Sequence, residues 1–137
     1  MISRRKSRIL AFQTLYEWEI TRTSLDELLK FSWIEQREKY SDSDLFFPRL
    51  LVQGVLENMN AIDALISGQL DNWPFSRVNK VDLSILRLGV YELTFNQETP
   101  VSVAIDEAVE IAREYGVEES YRFVNGVLDG IAKKKKL

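Results

Sequence analysis

Four cations stand within the first eight residues: Arg4, Arg5, Lys6 and Arg8. No acid precedes Glu17, so this end of the chain is uniformly positive. Guanidinium forks match phosphate oxygens in pairs and also stack on unpaired bases, while an ammonium supplies a point charge. The chemistry on offer is the grip of a polyanion, and nucleic acid is the polyanion that also provides rings to stack on. A second cationic run, Lys133 to Lys136, closes the chain and reads as a disordered, solubilising end. Between the two, residues 9–132 hold the other 10 of 18 cations and all 21 acids. An acidic body with a pI near 5.1 opposes indiscriminate nucleic-acid binding and confines contact to a patch.

The missing residue types exclude much else. There is no histidine and no cysteine. That removes the usual general base at neutral pH, thiol nucleophiles, and ordinary zinc or iron–sulfur sites. The six glycines are scattered and form no phosphate-cradling loop. Asp106, Glu107, Glu110 and Glu114 fall at helical spacing and could in principle supply an acid–base pair. Near the start of a helix they read instead as a solvated face that favours its dipole. The expectation is a protein with no catalytic residue, no metal and no cofactor. The lack of cysteine agrees with a reducing cytoplasm. No apolar run approaches the roughly 18 residues of a membrane span. No long apolar stretch follows the basic start, so a secretory signal is not expected and the expected location is cytoplasmic.

The periodicity that must position these groups is helical almost throughout. At 137 residues the chain suits one domain. Ile9, Phe12, Tyr16 and Ile20 line one face of a helix through about residue 21. Ser24 with Glu27 predicts a capping box, and a second helix running to about Tyr40. Residues 41–44 form a loop, and a long third helix is expected from about Leu45 to Leu70, with Pro48 in or just past its first turn. Asp71-Asn72-Trp73-Pro74 breaks the pattern and divides an N-terminal half, 1–72, from a C-terminal half, 73–137. Asn79 or Ser76 caps the next helix. Its segment from Val81 to Leu93 is apolar on more than one side, which predicts a buried central post. A helix from about Val101 to Tyr115 with Gly116 as its cap follows, then a last helix over about 118–132. Gly126 is expected to permit close helix approach. Trp18, Trp33 and Trp73 are assigned to packing.

Three stretches carry a resemblance. Arg4-Arg5-Lys6-Ser7-Arg8, leading to Gln13-Thr14-Leu15-Tyr16-Glu17-Trp18, resembles the arginine-rich opening of the NusB family. So does Val81-Asp82-Leu83-Ser84-Ile85-Leu86-Arg87 running into Tyr91-Glu92-Leu93. The third comprises Ala104-Ile105-Asp106-Glu107-Ala108, Ala112-Arg113-Glu114-Tyr115-Gly116 and Phe123-Val124-Asn125-Gly126-Val127-Leu128-Asp129. The resemblance implies an all-α fold of about seven helices in two packed helical subdomains. It also implies a non-enzymatic adaptor in transcription antitermination. Such proteins pair with NusE, a ribosomal protein, bind a boxA-type single-stranded RNA, and join elongating RNA polymerase, chiefly on ribosomal RNA operons.

Residue by residue, the resemblance implies that Arg4, Arg5, Lys6 and Arg8 meet phosphates. Glu119-Ser120-Tyr121-Arg122-Phe123 resembles the family's second RNA-facing segment, with Arg122 on a phosphate and Phe123 stacking a base; Glu119 belongs to it. Tyr16 and Asp82 match positions that hold NusE. Plainer roles stay open: Tyr16 and Phe123 also fit core packing, and Asp82 also fits the start of its helix. Two other functions remain. One is the helical front domain of an RNA methyltransferase, which would precede a catalytic domain with a glycine-rich loop; this chain ends at Leu137 without one. The other is a self-associating helical protein with no RNA role; a homodimer is compatible with either class.

Overall fold

A computed structural model describes residues 2–96 and 98–137. The described residues form seven α-helices: α1 Arg4–Thr21, α2 Leu25–Leu28, α3 Asp42–Glu57, α4 Met59–Ser67, α5 Lys80–Thr94, α6 Val101–Tyr115 and α7 Ser120–Lys134. Short 3-10 turns sit at Arg37–Lys39 and Phe75–Arg77, and no strand occurs among the described residues. α5 is the post around which the others stand. It packs on α1, α3, α4, α6 and α7, and Leu83, Ile85, Leu86, Leu88, Val90 and Leu93 on its several faces are all buried. Asn79 caps it, accepting from the Asp82 N–H at 2.8 Å. One apolar core runs from Phe12 and Leu15 on α1 through Val55 and Ile62 to Ile111 and Leu128, across the turn at 71–74.

Two of the expected helices differ. The second ends at Leu28 rather than near Tyr40, because Phe31 adopts a left-handed backbone, φ 54°, and turns into the interior. There it forms a small core with Leu10, Ile34 and Leu45. Burying a phenylalanine gains roughly 1.5–3 kcal/mol, which offsets the left-handed cost of about 1–2 kcal/mol. The carbonyls a longer helix would have occupied are taken by arginines. Arg49 Nε donates to Leu29 O at 2.8 Å, and Arg37 donates to Lys30 O at 2.8 Å and to Tyr40 O at 3.1 Å. The long third helix is two helices. α3 begins at Asp42 under a capping box between Ser41 and Asp44, which places Pro48 in its second turn. It stops at Asn58, whose side-chain amide donates to Gly54 O at 2.8 Å and competes with the helical ladder.

Glycine and tryptophan placements also depart from expectation. Gly126 does not admit a neighbouring helix: a Cβ there would meet nothing within 4 Å. The close approaches lie at Gly54, against the Tyr91 ring, and at Gly89, against Leu128. Gly116 does cap α6, in extended rather than left-handed geometry, and is small because Ser120 packs on it. Trp33 and Trp73 are exposed rather than packed, while Trp18 is half-buried. The lysine run is partly ordered: α7 continues through Lys134, and Lys133 pairs with Asp129 at 2.9 Å.

Candidate nucleic-acid interface

The basic tip is the first turn of α1. Ser3 caps that turn, accepting from the Lys6 N–H at 3.0 Å. A helix N-terminus carries partial positive charge and favours acids; this one holds Arg4, Arg5 and Lys6 and no acid. All three are exposed. The Arg4 guanidinium lies 4.1 Å from the centroid of the Phe47 ring. Arg5 forks onto Glu107 of α6, with Nε and Nη2 donating at 3.1 and 3.2 Å.

Arg8 does not stand with them. Its Nε and Nη2 donate to the two carboxylate oxygens of Glu92 at 2.8 and 3.0 Å, and the two side chains are only 7% and 3% exposed. Thr99 Oγ1 donates to the same carboxylate at 3.1 Å. Arg8 lies one helical turn beyond Arg4 on the same face, and both guanidiniums stand over the Phe47 ring, at 5.6 and 4.1 Å; Arg4 sits at the exposed start of α1, while Arg8 sits one turn deeper, where Glu92 of α5 meets it. It is a core ion pair, not a presented cation.

The acids of α6 are not merely a solvated face. Glu107 pairs with Arg5, and Glu110 lies 3.5 Å from Arg113. Arg5, Ile9, Glu110, Ile111, Arg113 and Glu114 line one shallow groove between α1 and α6. Arg113 in turn lies 4.3 Å over the Tyr121 ring, next to the second predicted segment. There Glu119 and Arg122 form an exposed pair at 3.5 Å, and Arg122 Nε donates to Tyr121 Oη at 3.0 Å. Phe123 is half-buried and faces a cleft lined by Trp73, Arg77, Val78, Asn79 and Asp82. The basic tip and the start of α7 therefore bound one surface, joined by Arg113.

Tyr16 and Asp82 are brought close through Asn79, which lines the clefts of both. Tyr16 is partly exposed in a groove of about 350 Å³ with Lys80, Val81, Tyr115, Gly116 and Val117. Asp82 is 5% exposed. Its Oδ2 accepts from Asn79 Nδ2 at 3.0 Å, while its Oδ1 is buried with no hydrogen-bond partner among the described residues. Sequence reasoning missed the apolar rim of this groove. Val117 is 70% exposed, and Ile20 on the same face of α1 is also exposed. The available signal was a valine directly after the helix-ending Gly116, with no helix to bury it.

An ion network pins this region. Arg87 on α5 reaches Glu19 on α1 at 2.5 Å and forks onto Asp63 of α4, both bonds at 2.9 Å. Arg22 and Lys80 lie 3.2 and 3.4 Å from Glu19. Burial pushes the Glu19 carboxyl up, but Arg87, with help from Lys80 and Arg22, outweighs it and holds the group below the ordinary glutamate value. Among the described residues no cluster of acids is arranged to hold a metal ion, and no helix is long and apolar enough to cross a membrane. The geometry offers binding surfaces built from cations and rings.

Comparison with known proteins points the same way. Residues 5–133 match the model of a family described as the NusB family. The transcription antitermination protein NusB of Treponema pallidum (strain Nichols) is 48% identical over 132 residues, covering 96% of this chain and 94% of that protein. The solved structure of T. maritima NusB superposes with a TM-score of 0.87 at 40% identity, over 97% of this chain and 92% of the other. A crystal structure of the antitermination factors NusB and NusE in complex with dsRNA gives 0.85 at 29% identity, over 96% of each chain.

Proposed function

Because the chain belongs to the NusB family, we propose that it is a non-enzymatic adaptor of transcription antitermination, acting in the cytoplasm. It holds RNA on one surface and NusE on another, and so joins the elongating RNA polymerase complex. The RNA is a boxA-type single strand, chiefly that of ribosomal RNA operons. One observation carries the RNA reading: α1 opens with three exposed cations at the positive end of its own dipole. That arrangement is electrostatically unfavourable alone and is relieved by phosphates. Arg4, Arg5 and Lys6 make the phosphate contacts, Arg5 exchanging Glu107 for the strand. At the start of α7, Arg122 adds a cation, Glu119 holds it in the free state, and Phe123 offers a ring. Arg8 serves by fixing α1 on α5.

Tyr16 and Asp82 receive NusE. The groove beside Tyr16 leaves apolar side chains uncovered, and the orphan Oδ1 of Asp82 is a buried acceptor that lacks a donor, a costly state that a donor from a partner would relieve. The test is a mobility-shift titration of boxA-type RNA, with and without NusE, over a range of salt. Replacing Arg4, Arg5 and Lys6 together by Ala removes three phosphate contacts. The slope of log affinity against log salt should become shallower by roughly 2. Unchanged affinity and slope in that variant would overturn the proposal.

A further inference from the structure

We propose that Phe47 on α3 is a positioning residue for the RNA surface: its ring holds the Arg4 guanidinium in place while leaving the N–H donors free for a phosphate. The inference rests on the RNA-binding reading above and adds to it a residue from a helix that reading does not use. Arg5, Arg113 and Arg122 lie on the same surface, and each is paired with a glutamate: Glu107, Glu110 and Glu119 in turn. A carboxylate holds an arginine by occupying the donors that a phosphate needs. Arg4 is held differently. Its guanidinium lies 4.1 Å from the centroid of the Phe47 ring, and among the described residues its side chain makes no hydrogen bond or ion pair. A ring attracts a cation through its π-face and takes up none of the five N–H groups.

The ring itself is fixed. Phe47 is half-buried and packs against the main core, on a helix whose first turn is closed by the Ser41–Asp44 capping box. Asp44 lines the same cleft as Arg4, but its carboxylate accepts from the Ser41 N–H at 2.9 Å as part of that cap. On α1, Arg8 shares a face with Arg4 and stands 5.6 Å from the same ring, clamped onto Glu92. Like charges at this spacing destabilise a helix. The shared ring and the Glu92 carboxylate offset that repulsion, so Arg4 keeps its place. An arginine that is loose in the free protein must be ordered when it binds, which costs about two- to tenfold in affinity. Ordering Arg4 on Phe47 beforehand removes that loss.

The experiment titrates the full chain with boxA-type single-stranded RNA, in the presence of NusE and over a range of salt, with thermal melts alongside. Phe47→Leu keeps an apolar side chain against the core and removes the π-face. It should weaken RNA binding by about two- to tenfold and leave the salt slope unchanged, since Arg4 keeps its charge. Phe47→Tyr should bind as the wild type does. In an Arg4→Ala background, Phe47→Leu should cost nothing further. In the free protein the side-chain protons of Arg4 should be shielded by the ring in the NMR spectrum, and Phe47→Leu should abolish that shift. Should Phe47→Leu fail to fold, Phe47→Met is read in the same way, because methionine fills irregular gaps. Equal losses from Phe47→Leu with and without Arg4 would show that the ring acts through stability or another contact, and would overturn the proposal. So would unchanged affinity in Phe47→Leu, or in Arg4→Ala, while the wild type binds RNA; the RNA reading would then stand without this residue. If the wild type binds no RNA, the broader reading fails and the positioning role with it.

Discussion

Arg8 separates a charge read from its neighbours in sequence from a charge read in its fold. It belongs to a run of four cations, yet its guanidinium forks onto Glu92 with both partners almost wholly buried. Replacing Arg8 by Ala leaves the Glu92 carboxylate in the interior with Thr99 as its remaining side-chain donor. Breaking a buried pair in this way costs about 3–5 kcal/mol. For a domain of this size each kcal/mol moves the melting temperature by roughly 3–5 °C, so the midpoint should fall by about 10–20 °C. Thermal and urea unfolding followed by circular dichroism will show it. Arg8→Lys should recover only part of the loss, because an ammonium cannot fork onto both oxygens. Arg8→Met combined with Glu92→Leu should return most of it, since a well-packed apolar pair often replaces a buried ion pair at no cost. At a salt where binding is measurable, the folded double variant should keep the wild-type salt slope. Lys6→Ala should do the opposite, leaving the melt unchanged and making the slope shallower by roughly 0.7. An Arg8→Ala protein that melts with the wild type but loses a phosphate's share of salt dependence would refute the reasoning.

Two glycines make an opposed pair. Gly126→Ala on the open face of α7 should stabilise by about 0.5–1 kcal/mol, because its methyl meets nothing and the unfolded chain loses freedom. Gly54→Ala should destabilise by about 1–3 kcal/mol, because its methyl would fall on the Tyr91 ring; urea midpoints of the two variants should move in opposite directions. Glu19 governs acid sensitivity. Its carboxyl is held below the ordinary glutamate value when folded, so the stability it contributes is complete above that ordinary value, about 4.3, and is lost as pH falls through the lower folded value. Below that ordinary value the urea midpoint of the wild type should drop more steeply with acid than that of Glu19→Gln; parallel profiles would show that Arg87 does not hold this group.

Periodicity alone placed α1 and the buried post α5, because a helix that buries one or more faces must repeat its apolar residues every three to four positions; Gly116 marked the end of α6. The cap at Ser24 was legible in half: its hydroxyl accepts from the Glu27 N–H, while the Glu27 carboxylate accepts from Lys30 at 2.7 Å instead of closing the box; for α5 the sequence left Ser76 beside Asn79, and Asn79 is the cap. The end of the second helix was not legible, because it depends on Phe31 finding a hole between Leu10 and Leu45 that exists only once distant helices have docked. The same holds at Asn58, where helical spacing continues through a backbone break. Composition determined that histidine and cysteine chemistry is absent and that positive charge gathers at the start of the chain. Which of those charges face solvent was decided by tertiary structure. Arg8 shares a helix face with Arg4, but one turn further along α1 the docked α5 brings Glu92, 84 residues away in sequence, against it, and a linear run of cations contains no record of the partner that will neutralise one of them.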